Sequence, residues 1–357
     1  MPPIFFDLCP CPIIAVTGTK GKGTTATLIY KMLKTQYKDV FLAGNIGTPA
    51  LEILPKLKKT SLAILELSSF QLIDLKKSPH IAVVLMVTSE HLDWHRDQSE
   101  YKSSKMSIVK FQKKNDFAVV NQDFENSRSF RVKTPAKVLF FSAQKEANGA
   151  YLKDNKIICL VDGPETIASI NDVLLPGRHN LQNVLAATVV AKLQKVKAEN
   201  IAKVIKTFKG LVHRLQLVRT IDGVKYYNDS FSTTPETSIA AIRSFPRNPK
   251  ILILGGSSKN SDFQPLAREI VGDKTVKAIV LIGEEAKRMG DALAKSGPFT
   301  GPIMEGAKNM RQVVSAAQKL AKAGDIVLLS PACASFGMFK NYQDRGEQFT
   351  QEVNSLK

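Results

Sequence analysis

The sequence predicts an α/β protein of two domains, each with a mostly parallel sheet. Three observations predict it. Apolar runs of strand length alternate with helical patterns through the first half, and one of them, Ile81–Thr88, is almost wholly apolar, as a strand buried on both faces must be. A glycine-rich turn joins a strand to a helix near the start of that series. Around Phe208-Lys209-Gly210-Leu211 the pattern breaks, and a second alternating series follows.

In the first series the strands are expected at Ile13–Val16, Val40–Ala43, Leu62–Leu67 and Ile81–Thr88, and the helices at Thr24–Leu33, Ser99–Lys110 and Asn180–Leu193. Shorter strands, including Val138–Phe141, and a hairpin around Asp154-Asn155 make an antiparallel or mixed edge between Phe117 and Val161. In the second series the strands are expected at Val224–Tyr227, Ile251–Leu254, Ala278–Ile282 and Ile326–Leu329. Helices are expected at Pro235–Arg243, Phe263–Val271, Glu284–Lys295, Ala307–Ala323 and Gly337–Ser355. The last three strands run into loops bearing Gly or Ser, where open α/β sheets contact ligands.

Length and composition bound the answer. The 357 residues are enough for two cores, and 44% hydrophobic with 23% charged residues is the balance of a globular chain. No apolar run approaches the roughly 20 residues of a membrane span, and the first residues lack the pattern of a signal peptide. Cys9, Cys11, Cys159 and Cys333 include no Cys-x-x-Cys pair, and Cys9-Pro-Cys11 is tighter than zinc spacing, so thiols in a reducing cytoplasm are expected. The net charge of +18 comes from scattered lysines, with aromatics at only 7%, which points to attraction of anionic substrates and away from nucleic acid.

The turn is Val16-Thr17-Gly18-Thr19-Lys20-Gly21-Lys22-Gly23-Thr24-Thr25. Glycines let backbone N–H groups approach phosphate oxygens, the helix start adds partial positive charge, and a lysine meets the β/γ-phosphates, so a nucleoside triphosphate is expected. The strict pattern is not met: Val16 stands at its first position, and Gly23 occupies the place of the hydroxyl after the lysine, with Thr24 next.

Other segments could carry chemistry. Glu66, in Glu66-Leu67-Ser68-Ser69-Phe70-Gln71, closes a strand and either holds Mg²⁺ or faces solvent. Thr88-Ser89-Glu90-His91-Leu92-Asp93-Trp94-His95 puts two histidines and two acids after the most apolar strand, without the His-Glu-x-x-His pattern of zinc proteases. Asp229-Ser230-Phe231-Ser232-Thr233-Thr234-Pro235 leads from a strand to a helix capped by Thr233 or Thr234. Gly255-Gly256-Ser257-Ser258-Lys259 is either a second anion cradle or a turn with an exposed lysine, and Ser330-Pro331-Ala332-Cys333-Ala334-Ser335 ends the last strand.

Read together, these segments resemble the Mur ligase family, ATP-dependent enzymes that add amino acids to the peptidoglycan precursor. Gly18-Thr19-Lys20-Gly21-Lys22, Gly44-Asn45-Ile46-Gly47, Glu66-Leu67-Ser68-Ser69-Phe70-Gln71-Leu72, His91-Leu92-Asp93 and Tyr101-Lys102-Ser103-Ser104-Lys105 follow in the family's order. Gly177-Arg178-His179-Asn180, His213-Arg214, Asn228-Asp229-Ser230, the Gly255 to Lys259 loop, the Ser330 to Ser335 segment, Phe339-Lys340-Asn341-Tyr342 and Arg345-Gly346 continue it. The Glu66 and Ser330 segments are most specific to members that add D-glutamate to UDP-N-acetylmuramoyl-L-alanine.

The resemblance implies a central P-loop-type ATPase domain with a mostly parallel sheet over 1–210, and a Rossmann-like α/β C-terminal, amino-acid-binding domain over 211–357. It implies ligation through an acyl phosphate with ATP and Mg²⁺, in the cytoplasm, by a monomer. Lys22, Lys105 and His91 would be catalytic. Gly18, Thr19, Lys20, Gly21, Lys22, Gly23, Thr24, Thr25, Asn180, Arg214 and Asp229 would bind ATP. Asn45, Ser69, Thr233, Lys259, Ser335 and Tyr342 would bind the other substrates. Thr24, Glu66, His91 and Lys105, if carbamylated, would hold metal.

The sequence departs from the family in three places. Gly23 replaces a hydroxyl, so Thr24 takes over its contact. Phe231 replaces the lysine that usually follows Asp-Ser. The uridine-binding domain that normally precedes the loop has no counterpart among these residues, and the chain is expected to lack it. Two alternatives stay open: a folylpolyglutamate synthase-like L-glutamate ligase, favoured by the Gly-Lys-Gly-Thr loop, and a non-catalytic nucleotide-binding remnant, favoured by Phe231 and the uncovered domain.

Overall fold

The computed structural model describes residues 2–44, 48–88, 97–258 and 261–356. The chain divides into two compact units, Met1–Leu174 with Arg178–Phe208, and Leu175–Gly177 with Lys209–Lys357.

The first unit is built on a nine-stranded sheet. Its strands are β1 (Ile13–Thr17), β2 (Val40–Gly44), β3 (Leu62–Glu66), β4 (Ile81–Val84), β5 (Phe117–Asn121), β6 (Lys137–Ser142), β7 (Ala150–Lys153), β8 (Lys156–Cys159) and β9 (Glu165–Ser169). The order is β2-β3-β1-β4-β5-β6-β7-β8-β9. Pairing is parallel from β2 through β7 and antiparallel across β7, β8 and β9, so the antiparallel edge is narrower and later than the expected Phe117 to Val161: β5 and β6 continue the parallel sheet, and β9 lies beyond Val161. Every residue of β1, β3 and β4 is buried, which is why these strands read as continuous apolar runs. β1 lies between β3 and β4, where the strand order reverses, and such a switch point opens a crevice at the strand ends.

Several boundaries differ from expectation. The strand expected over Ile81–Thr88 stops at Val84. Beyond it the Ser127 hydroxyl donates to the Leu85 carbonyl (2.8 Å) and accepts from the Val87 N–H (3.1 Å), while the Leu85 N–H still reaches Thr17 O (2.9 Å) and Met86 O accepts from the Thr19 N–H (2.7 Å). The helix expected from Thr24 starts at Lys22, directly after Gly21 turns the chain with φ 87°. The longest of the helices not foreseen are Pro2–Leu8 and Ala198–Thr207; the second buries Ile201, Val204 and Ile205, a spacing that puts them on one face.

The second unit has a six-stranded sheet of β10 (Gln216–Ile221), β11 (Val224–Asn228), β12 (Lys250–Gly255), β13 (Val276–Ile282), β14 (Ile303–Met304) and β15 (Ile326–Leu329). The order is β10-β11-β15-β12-β13-β14, parallel except for the β10–β11 hairpin, whose first strand was not foreseen. Alternate residues serve two cores. Leu252, Leu254, Ile279 and Leu281 pack on one face, and Ile251, Ile253, Ala278 and Val280 on the other.

Three helices here start later than expected, two of them at a side-chain cap. The segment expected over Ala307–Ala323 is helical from Met310 to Leu320, because the Asn309 side chain accepts from the Gln312 N–H at 3.0 Å. The one expected over Gly337–Ser355 starts at Tyr342, because Asn341 accepts from the Asp344 N–H at 2.8 Å. The one expected over Glu284–Lys295 runs from Ala286 to Ser296, since the Glu285 N–H is bound to the Gly256 carbonyl at 3.0 Å. Among the described residues, no helix is long and apolar enough to cross a membrane.

Candidate functional sites in the two units

In the first unit the glycine-rich turn leaves β1 at the switch point and enters the helix Lys22–Lys34. Gly21 is required at the corner: its φ is left-handed, and a Cβ there would lie 2.3 Å from Asn183 Oδ1. No side chain caps this helix and no acid lies in its first turn, an arrangement suited to an anion. The Lys22 ammonium folds back over the turn and donates to the Gly18 and Thr19 carbonyls, both at 3.1 Å. Lys20 is exposed. Burial, with the Lys20 charge nearby, holds the His179 imidazole below its ordinary pKa.

The two threonines after Gly23 differ. Thr25 is buried and its hydroxyl donates to Asn183 Oδ1 at 3.2 Å, while Asn183 Nδ2 donates to Asn180 Oδ1 at 2.9 Å. Thr24 is half-buried one position earlier. Asn183, not assigned from the sequence, thus ties the turn's helix to the helix His179–Leu193 and receives Gly21. Its place three residues after Asn180 was the available signal.

Lys105 joins this turn from 87 residues away. It sits on the helix Gln98–Lys110, is only 1% exposed, and donates from Nζ to the Gly18 carbonyl at 3.1 Å. The ammonium lies 4.6 Å from the Tyr101 ring centre, and the Tyr101 hydroxyl is 3.1 Å from Thr19 Oγ1. Thr19 Oγ1 also accepts from the Thr88 N–H at 2.9 Å. Glu66 is 5% exposed at the end of β3, in register with Val16 of β1 and Gly44 of β2. Ser69 is buried in the short helix Ser69–Leu72, whose start is capped by Ser68 and Gln71. Asn45 and His91, and in the second unit Lys259, lie outside the described residues.

In the second unit the ends of β11, β15 and β12 are neighbours, and the three loops singled out in the sequence meet there. The Asp229 N–H donates to Leu329 O (2.8 Å), the Ser330 N–H to Ile253 O (3.2 Å) and the Gly255 N–H to Pro331 O (2.8 Å). Asp229 is buried; it accepts from the Leu215 N–H (3.0 Å), Ser232 Oγ (2.5 Å) and Ser330 Oγ (2.8 Å). Burial outweighs these donors and the nearby Arg214, and pushes its carboxyl up to about 6.

Behind the loops lies a residue to which the sequence reading gave no role. Arg345 is fully buried, with Nε donating to Ser230 Oγ (2.9 Å), Nη2 to Ser230 O (2.8 Å), and Nη1 to Cys333 O and Ala334 O (3.2 Å each). Gly346 beside it leaves room for His213, since a Cβ there would lie 2.1 Å from the imidazole Nδ1. Burial holds His213 below its ordinary pKa. Toward solvent, the Arg214 guanidinium stacks 3.8 Å over the Phe231 ring, which meets Tyr342 edge-on at 5.1 Å. Thr233 is half-buried and Ser335 buried. Thr234, not Thr233, is the cap of the helix Pro235–Arg243. Ser257 Oγ is buried without a hydrogen-bond partner among the described residues, at a position left without a role in the sequence reading.

Comparison with known proteins matches both units. The Mur ligase middle domain matches residues 16–191, and the Mur ligase glutamate ligase domain matches 213–333. The chain is similar to the UDP-N-acetylmuramoylalanine–D-glutamate ligase of Acetivibrio thermocellus, with 42% identity over 99% of this chain and 76% of that protein. It is similar to the corresponding ligase of Symbiobacterium thermophilum, with 39% identity over 99% and 77%. Among solved structures, the MurF ligase of Thermotoga maritima in complex with ADP aligns over 99% of this chain and 82% of its own, at TM-score 0.68 and 20% identity. The MurC ligase of the same organism aligns over 97% and 76%, at TM-score 0.67 and 15% identity. These two likenesses are of fold.

Proposed function

The chain belongs to the Mur ligase family, and on that premise we propose that it joins D-glutamate to UDP-N-acetylmuramoyl-L-alanine at the expense of ATP, in the cytoplasm and as a monomer. The observation that carries the reading is the pairing of a phosphate-loop turn in one unit with a loop cluster in the other. By family resemblance the Ser330 to Ser335 segment in that cluster is, with the Glu66 segment, one of the two most specific to D-glutamate addition. Residues 1–210 serve the nucleotide and residues 211–357 the amino acid.

In the reaction the alanyl carboxylate attacks the γ-phosphorus, ADP leaves, and an acyl phosphate forms. The D-glutamate amine attacks the acyl carbon, and phosphate leaves from the tetrahedral intermediate. Such chemistry needs charge stabilisation and alignment. Lys22 and the N–H groups from Gly18 to Thr24 bind the phosphates, helped by Lys20, with Asn180, Arg214 and Asp229 as further nucleotide contacts. Because Thr25 is committed to Asn183, Thr24 is the hydroxyl that supplies the contact displaced by Gly23. Asn45 and Ser69 serve the muramoyl substrate, and Thr233, Lys259, Ser335 and Tyr342 serve D-glutamate. The Ser257 hydroxyl, without a hydrogen-bond partner among the described residues, is a further donor to that substrate.

Mg²⁺ suits the donors at the turn. Glu66 offers a buried carboxylate at a strand end and Thr24 a hydroxyl, both hard oxygen ligands. His91 and Lys105, the latter converted to a carbamate, complete the proposed set. Among the described residues there is no group of three or more His, Cys, Asp or Glu, so the carbamate oxygen matters to the count. When bound, Mg²⁺ neutralises phosphate charge.

The test is phosphate release from ATP with UDP-N-acetylmuramoyl-L-alanine, comparing D-glutamate, L-glutamate, and L-glutamate with a folate. It is run with the chain alone and with the N-terminal portion of a relative supplied separately. Release that requires D-glutamate and yields the amide is expected. Release that is indifferent to the enantiomer, requires folate, or is absent in both formats would overturn the assignment.

A further inference from the structure

We propose that Cys9 and Cys11 form a dithiol modification site that exchanges with low-molecular-weight disulfides and closes reversibly to an intramolecular disulfide. The two thiols flank Pro10 in the short connection between the helix Pro2–Leu8 and β1. The Cys9 N–H donates to the Phe5 carbonyl at 2.8 Å, ending the helix, and the Ala63 N–H donates to the Pro12 carbonyl at 3.3 Å. The connection is therefore pinned at both ends, and the Pro10 ring fixes a further backbone torsion.

Within it both side chains lie on one side. The sulfurs stand 3.6 Å apart, in van der Waals contact, and the Cys9 thiol points at the Cys11 carbonyl at 3.4 Å. Bringing them to bonding distance requires side-chain rotation within a pair that the backbone already holds together.

Access and reactivity separate this pair from the other thiols. Cys9 and Cys11 are half-buried, with their inner sides against the core of the first unit. Cys159 is fully buried and its thiol is pushed up to about 11 by that burial, and Cys333 is buried at the end of β15. The hydrogen bond from Cys11 holds Cys9 at about 7, near neutral pH, where attacking thiols work best. The same bond raises Cys11. The order of events follows. The Cys9 thiolate attacks one sulfur of glutathione disulfide and releases one glutathione thiolate. The Cys11 thiol, losing its proton to solvent, then attacks the Cys9 sulfur and releases the second. Two protein thiols are oxidised and one disulfide is reduced to two glutathiones. Among the described residues no third metal-ligating side chain joins the pair, which favours exchange over metal binding.

The test uses the whole chain, equilibrated with mixtures of oxidised and reduced glutathione, quenched in acid and digested for peptide mass spectrometry. The wild-type peptide spanning Cys9 and Cys11 is expected to lose two hydrogens and to regain them with excess reduced glutathione. Cys11→Ser is expected to hold one glutathione on Cys9, and Cys9→Ser to react at least about tenfold more slowly. Wild-type peptide that stays reduced where Cys11→Ser becomes glutathionylated, or that keeps an open glutathione adduct, would overturn the proposal. So would Cys9→Ser reacting as fast as wild type. The readout does not depend on ligase activity.

Discussion

The phosphate turn of the first unit and the loop cluster of the second are built in opposite ways. The turn is ten consecutive residues, and what it offers a ligand is mostly backbone N–H and one lysine. The cluster is assembled from strand ends far apart in the chain: Asp229 and Ser330, hydrogen-bonded, are 101 residues apart. What it brings together is mostly side chains, and a buried arginine holds the loops in place from behind. A backbone site survives with few side chains but depends on glycine at the tight positions. A side-chain site tolerates loop variation but depends on the network beneath it.

This comparison can be broken or sharpened by substitution. The largest effect is expected in the turn. Lys22→Ala should lower phosphate release on the order of a thousandfold, and Gly21→Ala should abolish nucleotide binding with the fold intact, measured by turnover and calorimetry. A Gly21→Ala chain that binds ATP normally would refute the backbone reading.

Next is the hub of the second unit. Arg345→Met leaves the carbonyls of Ser230 and Cys333 without this donor and Ala334 with only the Ser257 N–H, and should destabilise that unit by about 3 kcal/mol in urea unfolding. Unchanged stability would mean that the loops hold themselves.

A smaller effect is expected at Phe231. Phe231→Lys exchanges a cation–π contact with Arg214 for like-charge repulsion and should weaken nucleotide binding by about 1 kcal/mol, roughly fivefold, while Phe231→Tyr preserves it. The last expectation is a pH dependence at Asp229. Its folded pKa, about 6, lies above the ordinary 3.8, so the folded state binds the extra proton. The stability this group contributes is present below about pH 4 and lost as pH rises through about 6. The wild-type minus Asp229→Asn difference in melting temperature should therefore fall across that window, and a flat difference would count against it.

How much was legible follows the same division. The alternating elements, the parallel core strands and the glycine-rich turn could all be read, because a fully buried strand is apolar at every position and a tight turn needs glycine at fixed places. The helix at Ala198–Thr207 was missed despite its one-sided burial, and the β10 edge strand because most of it is not buried. Lys105 near the turn was reached only by family resemblance, since no local pattern says that a lysine on a distant helix will be buried against Gly18. Asn183, Arg345 and Ser257 were given no role, because their importance lies in what they meet.

By itself, then, the sequence determined two α/β units, a glycine-rich turn leading into a helix, and the family. Periodicity, glycine placement and local motifs are properties of neighbouring residues along the chain. Only the tertiary structure decided that the Thr25 hydroxyl is committed to Asn183, that three separate loops share one sheet end around Asp229, and that two thiols flanking a proline face each other. Those outcomes depend on which side chains a fold brings within hydrogen-bonding distance, and on how much water it leaves around them.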